Sequence, residues 1–135
     1  MRHPRTRTVL TAMALLLIAL PGCSLINRRK VTEREFESGT VRYLDTSSAR
    51  TLEVLEEETE RGSTGRLNVT ITWNNTSDSP YIAKMRRIFI DEQGLKERGA
   101  YQWDVETFPP GKSRMSWKSY SVDAVHYRIE LRKGE

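Results

Sequence analysis

This chain of 135 residues has little of what metal centres and hydrolytic sites are built from. It contains one cysteine, Cys23, and two histidines, His3 and His126. A single cysteine has no internal disulfide partner, and a His/Cys metal cluster cannot be assembled from so few ligands. A phosphate-binding glycine loop and a Gly-x-Ser-x-Gly elbow are both missing from the sequence. We therefore predict no enzyme, no metal site and no bound cofactor; an enzyme would depend on His126 with Asp123 and nearby serines.

Long hydrophobic runs are also missing. The apolar stretch 8–20, TVLTAMALLLIAL, follows three arginines in 1–7 and ends at Pro21 and Gly22. A membrane-spanning helix needs about 20 apolar residues. The charged start and short apolar run predict an export signal. An ordinary secretory signal or a marginal membrane anchor is the alternative.

The run Leu20-Pro21-Gly22-Cys23 that closes this stretch resembles the lipobox of bacterial lipoproteins. The resemblance implies cleavage between Gly22 and Cys23, and a diacylglyceryl group with an N-acyl chain on Cys23 as the membrane anchor. Such a modification accounts for a lone cysteine in an exported chain. Ser24, where aspartate would imply retention in the inner membrane, favours the periplasm-facing side of the outer membrane over the periplasmic face of the inner membrane.

The charge balance also depends on the signal. The whole chain has 22 basic and 18 acidic residues, and removal of the three signal arginines leaves nineteen basic residues. This near-neutral balance does not predict a nucleic-acid partner, which needs a basic surface. Residues 23–39 are densely charged and are predicted as a tether. Its Arg28, Arg29 and Lys30 would each add about 1 kcal/mol of attraction to an anionic membrane, or would only keep a linker soluble.

From Thr40 onward the pattern is one of strands rather than helices. Apolar and polar residues alternate in three segments, as expected for half-buried strands. The alternating segments are 67–73, 101–106 and 125–131, and further strands are predicted at 41–44, 52–55, 81–90 and 114–117. Turn residues separate them at 74–80, 91–94 and 109–112. About seven strands predict an all-β, antiparallel β-sandwich. The predicted organisation is a signal at 1–22, a tether at 23–39 and a β-sandwich at 40–135.

The order of pieces between Leu67 and Arg132 resembles the YcfL-like family of periplasmic lipoproteins. The pieces are a strand ending in NNTSD, a strand running into FIDEQGL at 89–95, Trp103, PGK at 110–112 and AVHYRIEL at 124–131. That family is catalogued as a domain of unknown function, and the resemblance implies an immunoglobulin-like sandwich. It implies fold and location more than activity.

Binding residues are predicted on the strand at 81–90. Lys84, Arg86 and Arg87 form a basic group that, with Tyr81, is the predicted contact surface for a partner. The acidic partner could be protein, lipid headgroups or peptidoglycan, although charges on an exposed strand also discourage unwanted pairing without any partner. The run of glutamates at 56–60, beside the turn at 61–65, is predicted as a solvated hairpin loop.

Tryptophans supply the second binding hypothesis. Trp73, Trp103 and Trp117 are predicted on the apolar sides of their strands, where they would pack in the core. Exposed tryptophans would instead stack on sugars. The sequence thus predicts a lipid-anchored, non-catalytic envelope protein that docks another periplasmic or outer-membrane component. The alternative is a peptidoglycan- or carbohydrate-binding lipoprotein that uses Trp103 or Trp117.

Overall fold

The computed structural model describes residues 32–135, which form two packed β-sheets. The elements in that range are β1 (Thr32–Phe36), β2 (Gly39–Tyr43), α1 (Thr46–Thr51), β3 (Leu52–Arg61), β4 (Leu67–Asn75), β5 (Tyr81–Asp91), β6 (Asp104–Phe108), β7 (Gly111–Lys118) and β8 (Ala124–Lys133). The predicted all-β sandwich is confirmed, with eight strands in the described part of the chain.

The larger sheet has the strand order β1-β2-β8-β5-β6, and the smaller sheet has the order β3-β4-β7. Neighbouring strands are antiparallel except for β2 and β8, which pair in parallel. The parallel pair departs from the purely antiparallel prediction. Alternation along a strand shows which residues share a face, but it carries no information about the direction of the neighbouring strand.

The core lies between the two sheets and is clearest along β4. Leu67, Val69, Ile71 and Trp73 all point inward and are buried, as their alternation predicts. The ring of Trp73 meets that of Phe108 edge to face, with centroids 5.4 Å apart and planes at 73°. Each such large side chain contributes about 1.5–3 kcal/mol by leaving water, so this inner layer determines how the sheets face each other.

The prediction of a strand at 101–106 is wrong in its bounds and in which of its residues point inward. The strand is β6, Asp104–Phe108; Val105 is 64% exposed, and Phe108 is the residue that enters the core. In the register of β5 and β6, Asp104 lies opposite Met85 and Glu106 lies opposite Ala83, and both buried partners point inward. Asp104 and Glu106 therefore lie on the inward side of β6. An ion pair compensates the inward carboxylate of Asp104, and a pattern of apolar residues could not reveal that.

Two further segments differ from expectation. Part of the predicted tether, Thr32–Phe36, is β1, and Phe36 packs against the core because the β1–β2 hairpin extends the larger sheet. The glutamates at 56–60 are in β3 rather than in a hairpin loop, and the loop covers only 62–66. The division into 1–22, 23–39 and 40–135 stays a prediction, and Gly22, Cys23 and the basic triplet at 28–30 lie outside the described residues.

The sandwich has two distinct ends. The proximal end is where the described chain enters at Thr32, beside Tyr43, and it also carries α1. The distal end carries the loops 62–66, 92–103 and 119–123. At the proximal end the Asp45 carboxylate accepts hydrogen bonds from the backbone N–H groups of Ser48 at 2.8 Å and Lys133 at 2.7 Å. This carboxylate therefore caps α1 and ties it to the end of β8.

Between Thr32 and Glu135 no helix is both long and apolar enough to cross a membrane.

Candidate functional site

The four predicted contact residues on β5 do not form one surface. Lys84 and Arg86 point to the outer face of the larger sheet, whereas Tyr81 and Arg87 share a face with inward residues of the neighbouring strands. Successive residues of a strand alternate between faces, so Arg86 and Arg87 necessarily diverge. The Tyr81 hydroxyl lies at the proximal end, 3.1 Å from the Ser48 hydroxyl. Whether any of the four binds a partner stays a prediction.

Lys84 and Arg86 belong to a basic cluster on the outer face. Lys84 lies opposite Arg132 in the register of β5 and β8, and Arg86 lies opposite Glu130. The Arg86 guanidinium pairs with the carboxylate of Glu130, which is buried although it is charged. Arg86 also lies over the ring of Trp103 at 4.7 Å from its centroid, and Arg132 lies over the same ring at 4.4 Å. These contacts satisfy the Glu130 carboxylate and hold the arginines in place.

Arg87 reaches a different place, a cleft of about 370 Å³ at the distal end. We call it the distal cleft. It lies between β5, the loop 92–103 and the end of β7. Its lining residues are Arg87, Phe89, Glu97, Arg98, Gly99, Ala100, Gln102, Asp104, Trp117, Lys118 and Tyr120. A volume of this order is at the lower end of the range for ligand and peptide sites.

Arg87 forms one wall of the distal cleft. Its guanidinium pairs with the Asp104 carboxylate, lies 3.9 Å from a Glu106 oxygen and is stacked over the Trp117 ring at 5.9 Å. The two carboxylates on β6 neutralise the arginine, and the Trp117 ring lies beside it. Arg87 therefore shapes the wall, and the more exposed cations Arg98 and Lys118 supply the positive charge that a partner would meet.

Glu97 fixes the shape of the distal cleft by joining two loops. Its carboxylate accepts hydrogen bonds at 2.9 Å from the backbone N–H groups of Tyr120 and Ser121. Its own N–H donates to the Phe89 carbonyl at 3.0 Å, which attaches the loop 92–103 to β5. Hydrogen bonds to a charged acceptor are stronger than neutral ones. The rim of the cleft is therefore preorganised rather than formed by two independent loops.

Apolar side chains are exposed on the distal loops, and one of them, Tyr120, lines the cleft. Six large apolar or aromatic side chains in the range 32–135 are exposed, and four of them belong to the distal loops: Leu95, Tyr101, Tyr120 and Val122. Tyr120 is 78% exposed. The sequence did not predict Leu95, Tyr120 and Val122, because loop residues have no period that shows which way they point, and it wrongly predicted Tyr101 as an inward strand residue. The available signal was the presence of tyrosine, leucine and valine within otherwise polar turn segments.

The core packing predicted for the tryptophans holds for Trp73 and in part for Trp117, but Trp103 lies on the outer face of the larger sheet instead of in the core. Trp73 is fully buried, Trp103 is covered by two guanidinium groups, and Trp117 is half-buried against the core and Arg87. The reason is that the side chains beside each ring, apolar or cationic, gain contact area by covering it.

The serine hydroxyl groups that a catalytic site at His126 would use make hydrogen bonds that hold the loop 119–123 in place. His126 is exposed on β8. The buried Ser119 hydroxyl accepts from the Leu67 N–H at 2.9 Å and donates to the Ser121 carbonyl at 2.6 Å, and the Ser121 hydroxyl donates to Asp123 at 3.0 Å. Among residues 32–135, no group of three or more His, Cys, Asp or Glu side chains is arranged to hold a metal ion.

The shifted pKa values lie away from the distal cleft. Burial raises the pKa of Tyr43, Tyr127 and Glu57, which lie at or beside the core. Burial acts on Asp45 as well, but hydrogen bonds from Ser48 and other backbone groups outweigh it and lower the pKa of Asp45. Catalytic groups usually have shifted pKa values inside their cleft. Here the shifts are explained by packing and by helix capping.

Comparison with known proteins supports the fold. No protein-family model matches the chain, and no curated protein matches its sequence. The crystal structure of cj0090 from Campylobacter jejuni is 15% identical, with 60% of this chain and 85% of that chain covered and a TM-score of 0.52. A DUF1425 family member from Shewanella sp. pv-4 is 14% identical, with 82% and 95% covered and a TM-score of 0.53. At such identities the likeness shows the fold alone, and the resemblance to the YcfL-like family is not confirmed.

Proposed function

We propose that this protein is a lipid-anchored, non-catalytic envelope protein that docks another envelope component at its distal cleft. The observation that carries the proposal is the group of four exposed apolar side chains on the distal loops. Leu95, Tyr101, Tyr120 and Val122 are exposed on the loops at the end of the sandwich opposite Thr32, and Tyr120 lines the distal cleft there. Exposed aromatic residues beside arginine are typical of interface centres.

The anchor in this proposal is Cys23, carrying a diacylglyceryl group and an N-acyl chain. Eight residues lie between Cys23 and Thr32, and even a fully extended segment of that length places the two at most about 30 Å apart. The proximal end would thus stay close to the membrane, and the distal cleft would face the periplasm from the outer membrane.

The composition of the cleft indicates the partner. The charge of Arg87 is neutralised by Asp104, whereas Arg98 and Lys118 line the distal cleft and are exposed to solvent. A protein segment that inserts an apolar side chain beside Tyr120 and places carboxylates near Arg98 and Lys118 fits this arrangement. The apolar contact would supply most of the affinity, and the charges would orient the segment and speed its association.

The anchor is tested by Cys23→Ala. We expect this change to abolish incorporation of labelled palmitate and to release the protein into a soluble or precursor form. Palmitate labelling of cells followed by membrane fractionation measures both effects. A mature-sized Cys23→Ala protein that still fractionates with the envelope contradicts the lipid anchor.

The docking site is tested by photo-crosslinking in cells. A photoreactive amino acid in place of Tyr120 should give one specific adduct with an envelope protein, because this position is on the cleft rim. The matched control is the exposed position Thr107 on β6, away from the cleft, which should give none. Equal adducts at both positions, or none at Tyr120, contradict docking at the cleft.

One observation favours the alternative, a peptidoglycan or carbohydrate ligand. Trp117 lines the cleft together with Gln102 and Arg87, and an aromatic ring beside planar polar groups suits a sugar. In that case cell-wall fragments should shift the tryptophan fluorescence of the protein. The Trp117→Phe variant should lose the shift, and an unchanged spectrum of the parent protein excludes this alternative.

A further inference from the structure

On the outer face of the smaller sheet, acidic and basic side chains lie on different strands. In the register of the sheet, the outward residues of each strand stand in rows with those of its neighbours. The outward residues are Glu53, Glu56, Glu58 and Glu60 on β3, then Asn68, Thr70, Thr72 and Asn74 on β4, then Lys112, Arg114, Ser116 and Lys118 on β7. One edge of this face is therefore acidic, the middle is uncharged, and the other edge is basic.

Both charged strands are edge strands. Within residues 32–135, β3 and β7 each pair only with β4, so each has a free side whose backbone groups can bind another strand. Near the start of β3 the Val54 carbonyl accepts from Arg34 of β1. The outward side chains at 56–60, which include three of the four outward glutamates, lie clear of that contact, and the inward Thr59 hydroxyl lies 3.0 Å from that of Ser38.

The charges select one way of joining two copies edge to edge. Two copies related by a twofold axis would place β3 beside β3 or β7 beside β7, and like charges would face each other. Pairing β3 of one copy with β7 of the next places glutamates beside lysine and arginine. Since one chain carries both complementary edges, the partner that fits this surface is a second copy of the same chain.

We propose that copies of this protein associate head to tail, with β3 of one copy beside β7 of the next. The strands β3 and β7 run in the same direction, because both are antiparallel to β4. When the outer faces of the two copies stay on the same side, this contact is parallel and every Thr32 end points the same way. Such copies can all be attached to one membrane, and the contact repeats into a row or a ring.

An ion pair within the molecule shows the reach of these side chains. Arg114 on β7 lies 2.5 Å from Glu58 on β3, across the intervening strand β4, and both side chains are 59% exposed. Side chains that meet across an intervening strand easily reach a directly adjacent one. An exposed pair of this kind is weak, so exchanging it for a partner in the next copy costs little.

The test uses charge reversal on the full chain purified in detergent. One variant carries Glu56→Lys and Glu58→Lys, and the other carries Lys112→Glu and Arg114→Glu; Lys118 stays unchanged because it lines the distal cleft. Sedimentation velocity at rising concentration should show association of the parent chain. Each variant alone should associate at least about ten-fold more weakly, and association of the parent should weaken at high salt.

An equimolar mixture of the two variants supplies the decisive measurement. It pairs a basic β3 with an acidic β7, and an acidic β3 with a basic β7, so association should return to near the parental level. The chain that carries all four substitutions should also associate with itself. Thermal melting confirms that each variant is folded, and Thr107→Lys, at an exposed position of the other sheet, is the control whose association should equal that of the parent chain.

Monomeric behaviour of the parent chain at every concentration overturns the proposal. So does association that both variants retain, or a mixture that fails to restore it. The proposal goes beyond docking at the cleft and uses neither the cleft nor Cys23. Its failure therefore leaves the proposed function standing.

Discussion

Glu97 is the side chain whose removal should open the distal cleft. It accepts two backbone hydrogen bonds at 2.9 Å, one from the exposed Tyr120 and one from the half-buried Ser121. Each bond contributes about 1 kcal/mol net, so Glu97→Ala should lower the free energy of unfolding by about 2 kcal/mol. Glu97→Gln keeps one acceptor oxygen and should lose about half of that amount.

Two measurements check this reasoning. Urea unfolding gives the free energies, with Glu92→Ala as the control because Glu92 is an exposed carboxylate of the same loop. Hydrogen exchange gives the local effect: the amides of Tyr120 and Ser121 should lose protection by about thirty-fold, since every 1.4 kcal/mol is a factor of ten. Amides of β1, on the far edge of the larger sheet, should keep their local protection.

The outcome that refutes the role of Glu97 is equally specific. Glu97→Ala that costs no more than Glu92→Ala shows that the two bonds do not stabilise the loops. Unchanged protection at Tyr120 and Ser121 leads to the same conclusion. Either result removes the argument that the cleft is preorganised, because no other side chain of residues 32–135 is seen to join these two loops through a carboxylate.

Three further variants test the packing of the sandwich. Asp45→Asn should destabilise the protein by about 1 kcal/mol at neutral pH, because asparagine can still cap the helix through the Ser48 N–H but has no second acceptor oxygen for the Lys133 N–H. Because the pKa of Asp45 is lowered by folding, its stabilisation is present above the pKa of the unfolded chain, and the difference from the parent should narrow as the pH falls below about 4. Glu57→Gln should stabilise the protein at neutral pH, since burial raises the pKa of Glu57 and disfavours its charged form; unfolding curves should converge below about pH 4. Gly39→Ala should cost about 2 kcal/mol or more in urea unfolding, because its new Cβ would lie 2.5 Å from the Tyr127 carbonyl oxygen. A neutral Gly39→Ala, or differences that do not depend on pH at Asp45 and Glu57, contradict these assignments.

The strands that sequence alone predicted best are those with one face in the core. The alternation in β4 predicted Leu67, Val69, Ile71 and Trp73 as inward residues, and all four are buried. Prediction failed where the inward position is polar. On β6 the side chain of Asp104 lies inward because Arg87, seventeen residues earlier, neutralises it. No local pattern contains that pairing.

In the candidate site, too, the sequence predicted what depends on the strand period and did not predict what depends on distant residues. The two-residue period of a strand places Lys84 and Arg86 on one face, and the structure has both on the outer face of the larger sheet. The distal cleft could not be predicted, because Arg87, Glu97, Trp117 and Tyr120 come from separate elements that meet only in the folded chain. A loop residue has no periodicity, so its exposure depends on which backbone groups anchor the loop, here through Glu97.

The sequence by itself determined the short apolar run before Cys23, the scarcity of metal ligands and the two-residue period that makes the chain a β-sandwich. These are local properties, because they depend on composition and on residues a few positions apart. Tertiary structure decided the parallel pairing of β2 and β8, the joining of two loops by Glu97, and the placement of acidic and basic strands on opposite edges of one sheet. Those features depend on which distant segments become neighbours, and only packing of the two sheets determines that.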